Sequence, residues 1–207
     1  MKYLSCIPTC LILASCATSS GNPAATLNNE GNSAYFRGNA DEALVKYEAA
    51  RKAAKDANDR QYEAIAMYGL ARANMELCKP QEAEQWFVES IKIRDSLPDD
   101  KYAYVTQNLL EYSRLLIATG RAKDAVAPME RAVAKLDADG TIESSDPIAF
   151  ADVLDDYAGA LTAAGQSQKA EAARSRAKSL RQANTGRRAL FKPTPYPARC
   201  KVAPTYP

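Results

Sequence analysis

The sequence has no histidine among its 207 residues, and this absence excludes several kinds of catalytic and metal site. Ser-His-Asp and Cys-His nucleophile systems need an imidazole as base, and His-ligated metal centres need one as a ligand. Adjacent acids such as Asp155 and Asp156 do not replace it, because neighbouring side chains on a helix point about 100° apart. No Gly-rich phosphate loop followed by lysine is present. We therefore predict that the protein is not an enzyme and has no catalytic residues, metal site or cofactor.

Glycine and aromatic residues are also scarce. The chain has nine glycines, and 8% of its residues are aromatic. A β-sandwich depends on aromatic and β-branched strands joined by glycine-containing turns, so this composition argues against one. With 46% hydrophobic and 25% charged residues, the composition is typical of a single globular domain or a small repeat array built from packed helices.

The apolar run near the N terminus, from Leu4 to Leu13, is too short to span a bilayer as a helix. A lysine precedes it and small residues follow it, which is the layout of a secretory signal. The next residues, Leu13-Ala14-Ser15-Cys16, resemble the lipobox of bacterial lipoproteins. The resemblance implies a signal peptide over residues 1–15 and lipidation of Cys16, which becomes the first residue of the mature chain. An ordinary signal cleaved after Ala17 is the alternative.

The residue after the lipobox cysteine bears on the destination of the anchor. Ala17 occupies this position, whereas an aspartate there would resemble an inner-membrane retention signal. The resemblance therefore implies an outer-membrane lipoprotein that faces the periplasm. Residues 16–25 are small and polar with Gly and Pro, which predicts a flexible tether between the lipid and the rest of the chain.

Four segments of the chain repeat one pattern. Each begins at a turn residue, continues with an alanine five positions later, and follows an amphipathic stretch whose apolar residues have the i, i+3, i+4, i+7 spacing of a helix. A single helix pair cannot cover its own apolar face, so such pairs are expected to stack into one continuous core. The anchoring alanines are separated by 40, 42 and 45 residues and are Ala43, Ala83, Ala125 and Ala170.

This pattern resembles the tetratricopeptide repeat, in the longer variant found in kinesin light chains. The turn glycine corresponds to Gly38, Gly120 and Gly165, with Cys78 as the exception, and the bulky residue of the second helix corresponds to Tyr47, Phe87 and Met129. The resemblance implies an all-α, right-handed superhelical array between a disordered N-terminal tether and a disordered C-terminal tail. An irregular helical bundle is the alternative. The domain covers residues 26–182, with four repeats at about 26–57, 62–95, 104–137 and 149–182.

The resemblance also implies which residues contact a partner. In this family the first helix of each repeat lines the inner face of the superhelix. Amide and guanidinium donors in a row suit the carbonyls or carboxylates of an extended peptide, and Tyr and Met add apolar contact. For each residue the alternative is an ordinary solvated helix face. The predicted inner-face residues are Asn28, Asn32, Tyr35, Tyr68, Arg72, Met75 and Arg114.

Two cysteines of the mature chain remain once Cys16 is lipidated. Cys78 lies in a turn between two predicted helices, and Cys200 lies in the C-terminal tail. Because the periplasm favours disulfides, a bridge between them would join the tail to the second repeat. Free thiols or an intermolecular bridge are the alternatives.

The net charge of +2 hides a strong segregation of charge. Residues 169–207 carry ten basic residues and one acid, whereas the first 168 residues carry 17 basic and 24 acidic ones. The basic, Pro-rich tail over residues 183–207 has the composition to dock on an acidic protein groove, lipid headgroups or cell-wall anions. A solubilising disordered tail is the alternative. Nucleic acid is not expected as a partner, because of the export signal.

Together these features predict a non-catalytic lipoprotein, anchored in the outer membrane, that serves as a protein–protein scaffold or assembly factor for a cell-envelope complex. Pilus, secretion and cell-wall machinery are the candidate classes of complex. The alternative is a module that binds peptidoglycan or an acidic polysaccharide through the basic tail. The sequence leaves the oligomeric state open.

Overall fold

The computed structural model describes residues 21–98, 102–191 and 196–200, so the predicted signal peptide and Cys16 lie outside the described residues. In this part of the chain it contains nine α-helices, one 3₁₀ turn and no β-strand, which confirms the predicted all-α class. The helices are α1 (Pro23–Phe36), α2 (Ala40–Asp56), α3 (Arg60–Glu76), α4 (Pro80–Asp95), α5 (Tyr102–Ala118), α6 (Val126–Asp139), α7 (Ile142–Ser145), α8 (Pro147–Ala163) and α9 (Ser167–Ala183), and the 3₁₀ turn is Ala198–Cys200.

Eight of these helices pack as four consecutive hairpins, α1–α2, α3–α4, α5–α6 and α8–α9. Successive hairpins stack on one another: α3 contacts both α2 and α1, α5 contacts α4, and α8 contacts α6 and α5. The short helix α7 lies in the connection between the third and fourth hairpins. The predicted array of about four helix–turn–helix repeats is therefore confirmed.

Side-chain caps explain where several helices begin. The Asn22 side chain accepts the backbone N–H of Ala24 at 3.0 Å, and Pro23 fits the first turn of α1 because its missing N–H would be unpaired there. The first helix thus starts inside the segment 16–25 that was predicted to be a flexible tether. Asp59 caps α3 in the same way, by accepting the Tyr62 N–H at 3.0 Å.

The turn within each hairpin needs a residue in the left-handed region. Gly38, Gly120 and Gly165 have φ values of +80°, +81° and +75°, which glycine adopts without steric cost. In the second hairpin Cys78 takes this place with φ +58°, where an L side chain is disfavoured. Cys78 therefore adopts the same left-handed conformation as the three turn glycines, although it carries a side chain.

Tyr47 of α2 shows how closely the first two hairpins pack. Its side chain is fully buried, and its hydroxyl donates to Asn32 Oδ1 at 2.8 Å. The ring lies against Gly31 of α1 and Gly69 of α3, where the absence of a Cβ makes room for it. A Cβ would lie 2.6 Å from the ring at Gly31 and 2.5 Å from it at Gly69. The ring is therefore held between two glycine surfaces.

The third and fourth hairpins share the largest apolar core. Phe150 and Leu161 of α8 and Met129 of α6 are fully buried in it. The last helix buries three small side chains in this core, Ala170, Ala173 and Ala177, and packs Leu180 against it, while the rest of α9 is mostly exposed. Among the residues described, no helix has both the length and the apolar character needed to cross a membrane.

Two parts of the C-terminal tail are described, and both contact the helical array. The N–H groups of Leu190 and Phe191 donate to Asp146 Oδ2 at 3.0 and 2.8 Å. Further on, Tyr196 and Cys200 join a buried apolar cluster of the second and third hairpins, and Cys200 forms a disulfide with Cys78. The tail was predicted to be disordered from its Pro-rich composition, but these contacts attach both described parts of it to the helical array.

Candidate protein-binding groove

The first helices of the first three hairpins, α1, α3 and α5, line an open groove of about 340 Å³. We call this the inner groove. The C-terminal end of α4 also reaches it, through Arg94. Its polar lining consists mainly of side-chain amides, and its apolar lining of aromatic rings; the amides are Asn28, Asn29, Asn32, Gln107 and Asn108, and the rings belong to Phe36, Tyr62, Tyr68 and Tyr104.

The amides offer donors and acceptors together. Asn108 uses its Nδ2 to donate to Ser90 Oγ at 2.6 Å, and Asn32 accepts from the Tyr47 hydroxyl, so both are oriented by buried partners. Asn28 is 6% exposed, and its Oδ1 has no hydrogen-bond partner among the described residues. A carboxamide pairs with a peptide group through one donor and one acceptor, so a row of them suits an extended backbone.

Arg72 supplies the positive charge at the centre of the groove. Its guanidinium carbon lies 4.1 Å from the centroid of the Tyr35 ring and 5.5 Å from that of Tyr68, which is stacking distance for a cation on an aromatic face. Its Nε lies 3.7 Å from Glu111 Oε2, so the buried charge is balanced. These contacts from three sides hold the guanidinium in a defined orientation.

Tyr68 is the neutral hydrogen-bonding group beside this ion pair. Burial raises the pKa of Tyr68 well above the usual value for a tyrosine, and the negative charge of Glu111 raises it further. Its hydroxyl therefore keeps its proton over the physiological range of pH. The centre of the groove thus combines a guanidinium, a carboxylate and a protonated phenol.

Two exposed aromatic side chains border the groove. Phe36, at the end of α1, is 77% exposed, and Tyr104 near the start of α5 is 42% exposed. Exposed rings next to convergent polar groups are typical of protein-contact surfaces, because burying them on binding releases apolar area from water. The rings can take apolar side chains of a bound segment while the amides take its backbone.

The structure places five of the seven predicted inner-face residues at the groove. Asn28, Asn32, Tyr68 and Arg72 line it, and Tyr35 lies beneath the Arg72 guanidinium. Asn32 and Tyr68 are partly exposed, whereas Asn28 and Arg72 are buried and present only a small part of their surface to the groove. Tyr35 is 9% exposed and acts as a support for the arginine.

The structure does not place Met75 and Arg114 at the inner groove. Met75 is 1% exposed and belongs to the apolar cluster that contains Tyr196 and Cys200 of the tail, so it is not open to a partner. Arg114 does not line the groove, because its Nε donates to Asp156 Oδ2 at 2.9 Å and joins α5 to α8. Both residues have the expected helix register, but each contacts residues that are distant in the sequence.

Sequence reasoning missed Phe36, Tyr104 and Arg94 as groove residues. Phe36 could have been predicted as a groove residue, because it lies four residues after Asn32 and eight after Asn28, on the same face of α1. The sequence pattern does not predict that Tyr104 and Arg94 lie at the groove. They come together because α5 packs on the end of α4, where the Arg94 guanidinium lies 5.0 Å from the Tyr104 ring.

Many basic residues of the C-terminal part of the chain form ion pairs with acidic residues of the helical array. Lys169 pairs with Glu130 at 3.0 Å, and Arg176 pairs with Asp137 at 2.6 Å. Arg181 contacts both Asp152 and Asp155, and Arg199 contacts Glu76. Across residues 21–98, 102–191 and 196–200, no group of three or more Cys, Asp or Glu side chains is arranged to hold a metal ion.

Comparison with known proteins agrees with this architecture. Residues 22–96, which cover α1 to α4, match the sequence profile of the tetratricopeptide repeat. The solved structure of BtubC (BKLC) from P. vanneervenii is similar over 83% of this chain and 68% of that one, with a TM-score of 0.68 and 23% identity. The array is a tetratricopeptide repeat fold.

A second solved structure extends the comparison. The nearly identical TPR-like repeats assigned to a Podosopora anserina kinesin light chain match 78% of this chain and 76% of that one, with a TM-score of 0.61 and 20% identity. No curated protein matches the sequence significantly. Tetratricopeptide repeat arrays present extended concave surfaces that bind other proteins, and their usual role is that of a scaffold.

Proposed function

We propose that this protein is a non-catalytic scaffold that holds an extended segment of a partner protein in the inner groove. The observation that supports this most directly is the set of side-chain amides around the Arg72 guanidinium, flanked by exposed aromatic rings. The amides match successive peptide groups of an extended chain, and Tyr35 and Glu111 hold the Arg72 guanidinium in an orientation to donate to a backbone carbonyl of that chain. No step of this recognition requires a catalytic group.

Replacing Phe36 by alanine is expected to weaken partner binding by tenfold or more, because losing a large aromatic contact at an interface costs about 2 kcal/mol. The side chain is 77% exposed, so the fold should be unaffected. Val45→Ala is the matched control, since Val45 is 67% exposed on α2 and does not line the groove. The measurement is affinity capture from solubilised envelope, with the same proteins quantified for both variants. Equal loss with Phe36→Ala and Val45→Ala would contradict the groove as the binding site.

We further propose that the scaffold is anchored by a lipid on Cys16 in the outer membrane, with the repeats in the periplasm. The support is the lipobox resemblance at Leu13–Cys16 and the disulfide between Cys78 and Cys200, since stable disulfides are typical of oxidising compartments. A lipid-anchored repeat array in this place suits the assembly of an envelope complex, such as a pilus, secretion or cell-wall machine. The groove would then hold one component near the membrane.

The anchor is tested by replacing Cys16 with serine and fractionating the cells. We expect the variant to leave the outer-membrane fraction, because an acyl anchor contributes about 0.8 kcal/mol for each buried CH₂ group and a serine cannot be acylated in this way. Cys78→Gly, which changes a cysteine of the folded domain, should stay with the membrane. A Cys16→Ser protein that fractionates as the parent does would show that the anchor lies elsewhere.

The basic tail gives less support to the alternative of polymer binding. Arg187 donates to the carbonyl oxygen of Ser145 at 3.0 Å, and Arg199 pairs with Glu76 at 2.9 Å. Together with the contacts of Lys169, Arg174, Arg176 and Arg181, these contacts engage at least six of the ten basic residues with groups of the array itself. A cation already paired with a carboxylate has less to gain from a polymer anion.

A further inference from the structure

A second part of the inner face, next to the inner groove, is covered by the chain's own tail. It lies at the C-terminal ends of α3 and α5, around Met75 and Leu115, with Phe87 of α4 beneath. Tyr196 and Cys200 belong to the same buried apolar cluster, and both are less than 10% exposed. We call this covered area the tail site. It explains why a residue with inner-face register, Met75, is buried.

Three kinds of contact hold the tail there. The aromatic ring of Tyr196 joins the apolar cluster, and the Arg199 guanidinium pairs with the Glu76 carboxylate at 2.9 Å. The third contact is covalent, between Cys200 and Cys78, whose Cα atoms are 5.0 Å apart and 122 residues apart in sequence. The segment Tyr196-Pro197 is suited to this use, because proline limits the conformations that an extended ligand must lose on binding.

The covalent contact is made from an unfavourable backbone position. Cys78 has φ +58° at the turn position where the other three hairpins have glycine. It is an exposed residue, whereas Cys200 is buried. The disulfide can therefore be approached from the side of Cys78, and breaking it leaves residues 196–200 held at the tail site by non-covalent contacts, chiefly those of Tyr196 and Arg199.

We infer that the tail site is a recognition site for segments with a Tyr-Pro pair followed by a basic residue, and that the disulfide decides what occupies it. With the Cys78–Cys200 bond intact, residues 196–200 fill the site. When the bond is reduced, the site exchanges its own tail for a partner segment of the same chemistry. The tail site is distinct from the inner groove, so this inference does not depend on the partner of that groove.

The reductant is a dithiol. One of its thiolates attacks the sulfur of Cys78, the Cys200 thiolate leaves and is protonated, and the second thiol of the reductant then displaces Cys78 from the mixed disulfide. The dithiol ends as an intramolecular disulfide, having given two electrons and two protons, and both protein cysteines end as thiols. Segment exchange then follows without further chemistry.

The test uses the full chain and a labelled peptide, Pro-Thr-Pro-Tyr-Pro-Ala-Arg, with the sequence of residues 193–199. Binding is measured by fluorescence anisotropy to the oxidised chain, to the chain reduced with dithiothreitol, and to the double variant Cys78→Gly/Tyr196→Ala. The double variant lacks the bond and the competing ring, and glycine is the residue that the other three turns use, so it should fold. Trp86, the single tryptophan, packs against this cluster and reports occupancy independently.

We expect the peptide to bind the double variant at least tenfold more tightly than the oxidised chain, with the reduced chain between them because its own tail still competes. A peptide with alanine in place of its tyrosine should bind at least tenfold more weakly, and Glu76→Gln should weaken binding of the parent peptide. Reduction should also change the emission of Trp86 in the parent and leave it unchanged in Cys78→Gly. Equal binding to the oxidised chain and the double variant, or no dependence on the peptide tyrosine, would overturn the inference.

Discussion

Gly69→Ala is expected to lower the free energy of unfolding by about 2 kcal/mol, although alanine is the better helix former. The added Cβ would lie 2.5 Å from two ring carbons of Tyr47, closer than carbon atoms approach without displacement. The ring cannot move away, because Gly31 touches it from the side of α1 and its hydroxyl is bonded to Asn32. Relief requires α1, α2 and α3 to separate, and this separation loses contacts of a fully buried residue.

The matched control is Gly159→Ala in α8. A Cβ at Gly159 would meet no atom within 4 Å, so only the helix propensity changes and stability should rise by about 1 kcal/mol. Urea unfolding followed by circular dichroism measures both variants, and the two shifts should have opposite signs. Combining Gly69→Ala with Tyr47→Leu should cost less than the sum of the single changes, because the smaller side chain leaves room for the Cβ. Additive costs would mean that the ring is not the obstacle.

The fold could be predicted from the sequence because its determinants are local. The apolar spacing of each helix, the turn glycines and the alanines of the close contacts all lie within one repeat, and the four copies agree at most positions. The bulky position of the second helix is an example: Tyr47, Phe87 and Met129 are all fully buried. The fourth copy has Arg174 there, which is exposed, since α9 ends the array and meets solvent.

The inner groove could be predicted only where it depends on helix register. Asn28, Tyr68 and Arg72 lie on the inner face for that reason. Met75 and Arg114 have the same register, but their environment is set by residues far along the chain. Met75 is covered by the tail, and Arg114 is paired with Asp156 of a later hairpin. Periodicity within one helix contains no information about such contacts.

The segregation of charge had two readings, and the sequence could not choose between them. Ten basic residues after position 168 and an acidic body before it suggest either a surface for an external anion or a solubilising tail. The structure shows a further use at Arg176 and Arg181, which bridge to carboxylates of the preceding helices. The last helix therefore docks by charge as well as by its small alanine face.

Asp146→Ala is expected to destabilise the protein by about 3 kcal/mol, which is large for a single polar side chain. This buried carboxylate caps α8 through the Ala149 N–H at 3.2 Å, and it accepts the N–H groups of Leu190 and Phe191. Losing the cap costs about 1 kcal/mol, and the two amides of the tail lose a charged acceptor. Hydrogen exchange should show the amides of Leu190 and Phe191 losing protection while those in the middle of α8 keep theirs.

Two variants separate the cap from the attachment of the tail. Asp59→Ala removes a cap that accepts one backbone N–H, from Tyr62, together with an exposed hydrogen bond from the Asn22 side chain, and should cost about 1 kcal/mol. Asp146→Asn keeps the shape but has one oxygen, which can serve either the cap or the tail and not both, so its cost should lie between those of the two alanine variants. Urea unfolding gives the ranking. If Asp146→Ala cost no more than Asp59→Ala, the bonds to Leu190 and Phe191 would add nothing to stability, and the tail would owe its place to its other contacts, chiefly the disulfide and the apolar cluster.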